Sequence, residues 1–198
     1  ISNISGAALM KEPKLASLII ENVKKAVKVP VSVKIRAGWD KNSLNAPETA
    51  HIAESSGADM IIVHGRTRDQ LYSGTVDLNI IKQVKDKVSI PVIGNGDVYS
   101  PDDAVNMMSK TNCDGVMIGR GVLGRPWVVP QISNDINNIK AKDEISDDFK
   151  KRIVLEHYDA ILSYYGVRNG LKIARKHICW YSKSIKNSND FRREFNTI

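Results

Sequence analysis

The chain has 198 residues, of which 42% are hydrophobic and 26% charged, with a net charge of +7 and only two cysteines, Cys113 and Cys179. This composition suits a soluble globular protein of one domain plus a small appendage. It excludes a membrane span, because no apolar run approaches the roughly 20 residues required. It also argues against a disulfide framework or a zinc site, because the cysteines show no CxxC spacing. The start, "ISNISGAALMKEP", lacks the basic and apolar segments of a signal peptide, so a reducing cytoplasm is the expected setting.

The first element is a helix after Pro13, marked by the stripe Leu15, Leu18, Ile19, Val23 and Val27. Four apolar strands follow at Val31–Arg36, Met60–His64, Ile90–Asn95 and Gly115–Gly119, with starts roughly 25 to 30 residues apart. Helical segments fill the gaps at Pro47–Ser56, Leu78–Lys87 and Pro101–Thr111. "KVPVSVKI" and "SIPVIGNG" are weak echoes of one repeat, each with proline before the strand. Regular alternation of strand and helix predicts a parallel α/β architecture over residues 1–136.

The pattern changes at residues 137–148, "NNIKAKDEISDD", which read as a linker. Residues 149–198 read as a small all-helical domain: helices at Phe149–Tyr165 and Arg168–Lys183 broken at Gly166, then a shorter one at Ser188–Phe195. Residues 147–198 carry a net charge of +5, so most of the basic excess lies there. Concentrated positive charge on a folded module points to nucleic acid, and solvated surface is the plainer alternative.

Strand alternation sorts the polar residues. In "VSVKIR", Val31, Val33 and Ile35 face one way and Ser32, Lys34 and Arg36 the other. In "MIIVHGR", Ile61 and Val63 oppose Met60, Ile62, His64 and Arg66. Lys34, Arg36, His64 and Arg66 therefore end consecutive strands. If they share a face, the cations and an imidazole converge, and an anion should compensate them. The alternative is that they stand above the rim and bond water or acidic loops.

The last two strands end in "GNGD" and "GRG". Tight turning alone accounts for glycines beside Asn95 and Asp97. As a pair on adjacent strands they also offer backbone N–H groups to a phosphate, since in eight-stranded α/β barrels the usual phosphate site follows the last two strands. Gly96 would admit the phosphate, with Gly119 and Arg120 closing on it. The signal is for a phosphorylated cofactor.

"VKIRAGWD", "VHGRTRDQLYSG", "IPVIGNGDV" and "CDGVMIGRGVLGRPW" together resemble the tRNA-dihydrouridine synthase family, in order and at its spacing. "ARKHICWY" and "FRREFNTI" resemble that family's helical domain, nearest its bacterial B-type branch. The resemblance implies an enzyme that reduces the C5=C6 bond of uridine in tRNA, with FMN on a TIM (β/α)8 barrel and NADPH as reductant. By matching motifs, it implies that Lys34 and His64 lie at the flavin ring. Asn95, Gly96, Asp97, Gly119 and Arg120 match the segments for its phosphate and ribityl chain, and Arg36 and Arg66 the substrate side. The family's proton-donating cysteine, in an Asn-x-Gly-Cys-Pro loop, would lie upstream of residue 1, so no catalytic residue is assigned in this chain. Cys113 precedes the last strand, at the opposite end of the barrel, and Cys179 falls in a tail helix.

The resemblance thus implies strands five to eight of the barrel and most of the helical domain, a chain expected to need the missing N-terminal half-barrel and to be inactive alone. No metal is expected. In "RNGLKIARKHICWYSK", Leu171, Ala174, Ile178 and Tyr181 should face the core, leaving Lys172, Arg175 and Lys176 as a basic stripe for the tRNA backbone. Two other functions fit the residues: an FMN oxidoreductase acting on a small molecule, for which a basic helical module is superfluous, and a non-catalytic RNA-binding fragment.

Overall fold

The computed structural model describes residues 5–139, 145–183 and 185–197. The chain divides into two compact units, Ile1–Gly119 and Arg120–Ile198. The first opens with a 3-10 turn, Gly6–Lys11, and then alternates α1 (Pro13–Ala26), β1 (Ser32–Arg36), α2 (Ala46–Ser55), β2 (Met60–His64), α3 (Leu78–Lys87), β3 (Val92–Asn95), α4 (Pro101–Thr111) and β4 (Gly115–Met117). The four strands form one parallel sheet in the order β1-β2-β3-β4. An α/β fold with consecutive parallel neighbours is consistent with part of a TIM barrel.

Local chemistry explains most element ends. Asp77 caps α3 by accepting from the backbone N–H groups of Asn79 and Ile80. Ser100 and Asp103 form a reciprocal capping box at the start of α4, with Pro101 in its first turn. The third strand begins at Val92, later than the expected Ile90, because Pro91 has no N–H to give the ladder and only its carbonyl accepts, from Ile61 N at 2.9 Å. The fourth ends at Met117, before Ile118 and Gly119.

The core lies on the helix-facing side of the sheet. Ile61, Val63 and Val92 are fully buried, as are Ala50, Ile81 and Ala104 on the helices. Gly94 belongs to this packing: a Cβ there would stand 2.6 Å from Met107 Sδ and 3.1 Å from Cys113 Sγ. Cys113 is itself buried, with its thiol donating to Gly115 O at 3.2 Å. On α1 the expected apolar stripe forms, but its outer part is open: Leu18 is 56% exposed and Val23 43%. An apolar cavity of about 360 Å³ lies between this helix and the β1 edge, lined by Met10, Ile19, Ile20, Val33 and Ile35 among others.

The second unit contains a 3-10 turn at Arg120–Val122, α5 (Val128–Ile136), α6 (Asp147–Tyr181) and α7 (Ser188–Phe195). As expected, Gly166 breaks the long helix, with φ 72° and ψ 157° that suit glycine. The two halves of α6 fold against each other. A Cβ on Gly170 would lie 2.9 Å from Leu162 Cδ2, and His157 Nδ1 and Tyr181 Oη are 3.0 Å apart. Among the described residues this unit has no strand. Its beginning at Arg120 takes α5 with the tail, where the sequence pattern predicts residues 1–136 as one domain. Of the expected linker, residues 140–144 lie outside the described residues.

Candidate functional site

The parallel register turns strand ends into rows. Arg36 pairs with His64, His64 with Asn95, and Asn95 with Met117. Two residues earlier, Lys34 pairs with Ile62 and Ile62 with Ile93. Side chains in register point the same way, so Lys34, Arg36, His64 and Asn95 share the face opposite the helices, at the C-terminal ends of the strands. Of the four residues expected to converge, Lys34, Arg36 and His64 lie on this face, whereas Arg66 follows the end of β2 and is outside the register. In α/β barrels this end of the sheet carries the ligand.

Several of these side chains also build the rim. The Asn95 amide donates to Met117 O at 2.8 Å and ties β3 to β4. Arg36 Nη1 donates to the carbonyls of Thr67 and Leu71, both at 3.0 Å, and its Cζ lies 5.9 Å from the centre of the Tyr72 ring. Tyr72 is 60% exposed beside Arg36, a placement that nothing in the local sequence pattern marks. Trp39, just after β1, is flanked by Lys11 Nζ at 3.8 Å and Arg68 Cζ at 4.7 Å.

Electrostatics sharpen the picture. His64 is 6% exposed, and its pKa falls from 6.5 to about 4 through burial, then the charges of Arg36, Lys34 and Arg66, with Asp97 opposing. The imidazole is therefore neutral at pH 7. Burial, and then Arg36, also lower the Lys34 pKa. Among the described residues no carboxylate forms an ion pair with Lys34. A cluster that resists further positive charge and leaves a cation without a carboxylate is built to receive an anion.

Arg66 differs from the expectation that it stands with Arg36 on the substrate side. It is 1% exposed. Its Nη1 and Nη2 donate to the two Asp97 carboxylate oxygens at 2.9 and 2.6 Å, its Nε to Ser73 O at 3.0 Å, and Nη2 also to Gly74 O at 2.5 Å. The Asp97 carboxylate also accepts from Val76 N at 2.9 Å. What the Asn95–Gly96–Asp97 segment offers a ligand is accordingly its backbone more than its acid. Gly96 has φ 125°, and a Cβ there would meet Val76 Cγ2 at 2.7 Å and His64 Cδ2 at 3.1 Å, so neighbours within the chain already require glycine. Gly119 is the opposite case: a Cβ there would meet nothing within 4 Å.

Arg120 opens the second unit as an exposed residue. Lys172, Arg175 and Lys176 lie on α6 at helical spacing, with both lysines exposed and Arg175 half-buried. Ala174 between them is 1% exposed, in keeping with the expected core face. Lys176 Nζ stands 5.0 Å from the centre of the Trp180 ring. Among the described residues no cluster of His, Cys, Asp or Glu could hold a metal, and no helix is long and apolar enough to cross a membrane.

A parallel α/β sheet with a cationic row at its strand ends is consistent with part of a TIM barrel. The dihydrouridine synthase (Dus) family model matches residues 1–198, and the chain belongs to that family. It is 50% identical over 198 residues to a probable tRNA-dihydrouridine synthase of Rickettsia conorii, covering 100% of this chain and 60% of the relative. Against a protein of the same description from Rickettsia bellii the identity is 48%, covering 100% and 61%. Against tRNA-dihydrouridine synthase B of Pasteurella multocida it is 41% over 195 residues, covering 98% and 59%. The chain thus spans about 60% of the length of these relatives.

Proposed function

We propose that this chain is the flavin-phosphate and tRNA-gripping portion of an enzyme that reduces the C5=C6 bond of uridine in tRNA, with FMN as cofactor and NADPH as reductant. One observation carries the reading: the row Arg36–His64–Asn95, with Lys34 one pleat below, holds positive charge against a neutral imidazole. The donor set fits FMN, a planar ring system bearing an anionic phosphate. Bound FMN supplies the reducing electrons. Lys34 is the cation for the ring edge that gains negative charge on reduction. His64, neutral at pH 7, donates or accepts a hydrogen bond there without adding charge. The backbone of Asn95, Gly96 and Asp97, with Gly119 and Arg120, takes the phosphate and ribityl chain.

Arg36 orients the uridine, because its guanidinium is fixed by two loop carbonyls beside the exposed Tyr72. Lys172, Arg175 and Lys176 take tRNA phosphates. Neither cysteine is assigned the proton-donor role: Cys113 is 3% exposed and bonded to Gly115 O, and Cys179 lies on α6. The test is flavin uptake. The whole enzyme of which this chain is a portion should bind FMN with quenching of flavin fluorescence, and competition by inorganic phosphate should weaken that binding. Absence of any FMN binding would overturn the reading.

A further inference from the structure

We propose that Arg66 is a positioning residue for the phosphate segment: paired with Asp97, it cancels that segment's carboxylate charge and pins the neighbouring loop, and it does not touch the substrate. The proposal rests on the flavin reading above and deepens it. Asp97 is the only carboxylate in the two segments assigned to the phosphate, Asn95–Gly96–Asp97 and Gly119–Arg120. Left alone, it would repel the anion those segments are meant to hold. Arg66 meets it with a two-pronged pair at 2.9 and 2.6 Å, the geometry that matches a guanidinium to a carboxylate.

The pair also fixes shape. Asp97 has a left-handed φ of 51°, and its Oδ2 accepts from Val76 N. Val76 in turn walls Gly96, whose α-carbon leaves room for no Cβ between Val76 Cγ2 and His64 Cδ2. Arg66 holds the far side of the same loop through Ser73 O and Gly74 O. A continuous path therefore runs from Arg66 through Asp97 and Val76 to Gly96 and His64. A guanidinium that is 1% exposed has no surface left for an RNA base or phosphate.

The experiment compares FMN with riboflavin, which lacks the phosphate, on wild type, Arg66→Met, Asp97→Asn and the double variant. Arg66→Met should weaken FMN about tenfold or more and riboflavin much less, because an uncancelled carboxylate opposes only the phosphate. The double variant should recover most of the FMN affinity. Equal loss of both flavins with no recovery would overturn the proposal, and so would an Asp97→Asn variant that loses FMN as severely as Arg66→Met.

A flavin-free readout keeps the test valid if Arg66→Met fails to fold. In Asp97→Asn the His64 pKa, followed by NMR, should fall, since the carboxylate raises it; no change would count against the pair's control of this face. If wild-type protein bound neither flavin while His64 responded as stated, the flavin reading would fail and the pairing would stand.

Discussion

The strand ends of the first unit and helix α6 of the second both carry excess positive charge, but they hold it differently. At the strand ends the two arginines are fixed. Arg36 is bonded to two loop carbonyls and Arg66 is buried in an ion pair, while Lys34 stands exposed on the same strand face as the neutral imidazole. On α6, Lys172 and Lys176 extend from an exposed helix face, and Lys176 meets the Trp180 ring. Fixed charges select a small anion of defined shape. Loose charges suit a long polyanion, whose binding depends on counterion release more than on geometry. The two regions should therefore respond to substitution in different ways.

The largest effect is expected where backbone crowds the rim. A Cβ on Gly65 would collide with the Asp77 carbonyl and lie 2.7 Å from Val76 Cγ2. Gly65→Ala should cost about 3 kcal/mol of stability in a urea titration. Gly119→Ala, with open space around it, should change stability by less than about 0.5 kcal/mol and yet weaken FMN. Equal stability losses at the two positions would erase the distinction between a packed rim and an open approach.

Next comes pH. The His64 pKa is about 4 in the fold and 6.5 when unperturbed. Between those values the unfolded chain binds a proton that the folded chain refuses. Stability should thus fall as pH drops from 6.5 towards 4, by at most about 1.4 kcal/mol per unit. His64→Gln should flatten that slope. A bound anion should raise the His64 pKa and have the same flattening effect. An identical slope in wild type and His64→Gln would remove the imidazole from the cationic cluster.

The smallest effect belongs to α6. Lys172→Ala with Lys176→Ala should leave FMN binding unchanged and weaken all tRNAs alike. The dependence of log affinity on log salt should become shallower by roughly 0.7–0.9 per contact removed. An unchanged slope would reduce the stripe to solvated surface.

Much of the first, α/β unit is legible in the sequence because its determinants are local. Alternation along "VSVKIR" and "MIIVHGR" sets which side chains share a face, and the register keeps Arg36, His64 and Asn95 together. Helix α3 begins after its Asp77 cap and α4 after Ser100–Pro101, and α4 ends at an αL Asn112. Pairings between distant residues are not legible. Arg66 and Asp97 lie 31 residues apart, and no local pattern says which carboxylate a strand-end arginine meets. The two glycines of "GNGD" are similarly ambiguous. Gly94 makes room for Met107 behind the sheet, whereas Gly96 makes room for Val76 and His64 at its end. Neither need is written in the four letters.

The most direct test of the account is the FMN dissociation constant of wild-type protein against Lys34→Met. Lys34 pairs with no carboxylate among the described residues, so its removal should cost little stability and fall on the ligand. Lys34→Met should stay folded and bind FMN about tenfold or more weakly, the loss expected for one charge-assisted contact. A folded Lys34→Met protein with wild-type FMN affinity would contradict it.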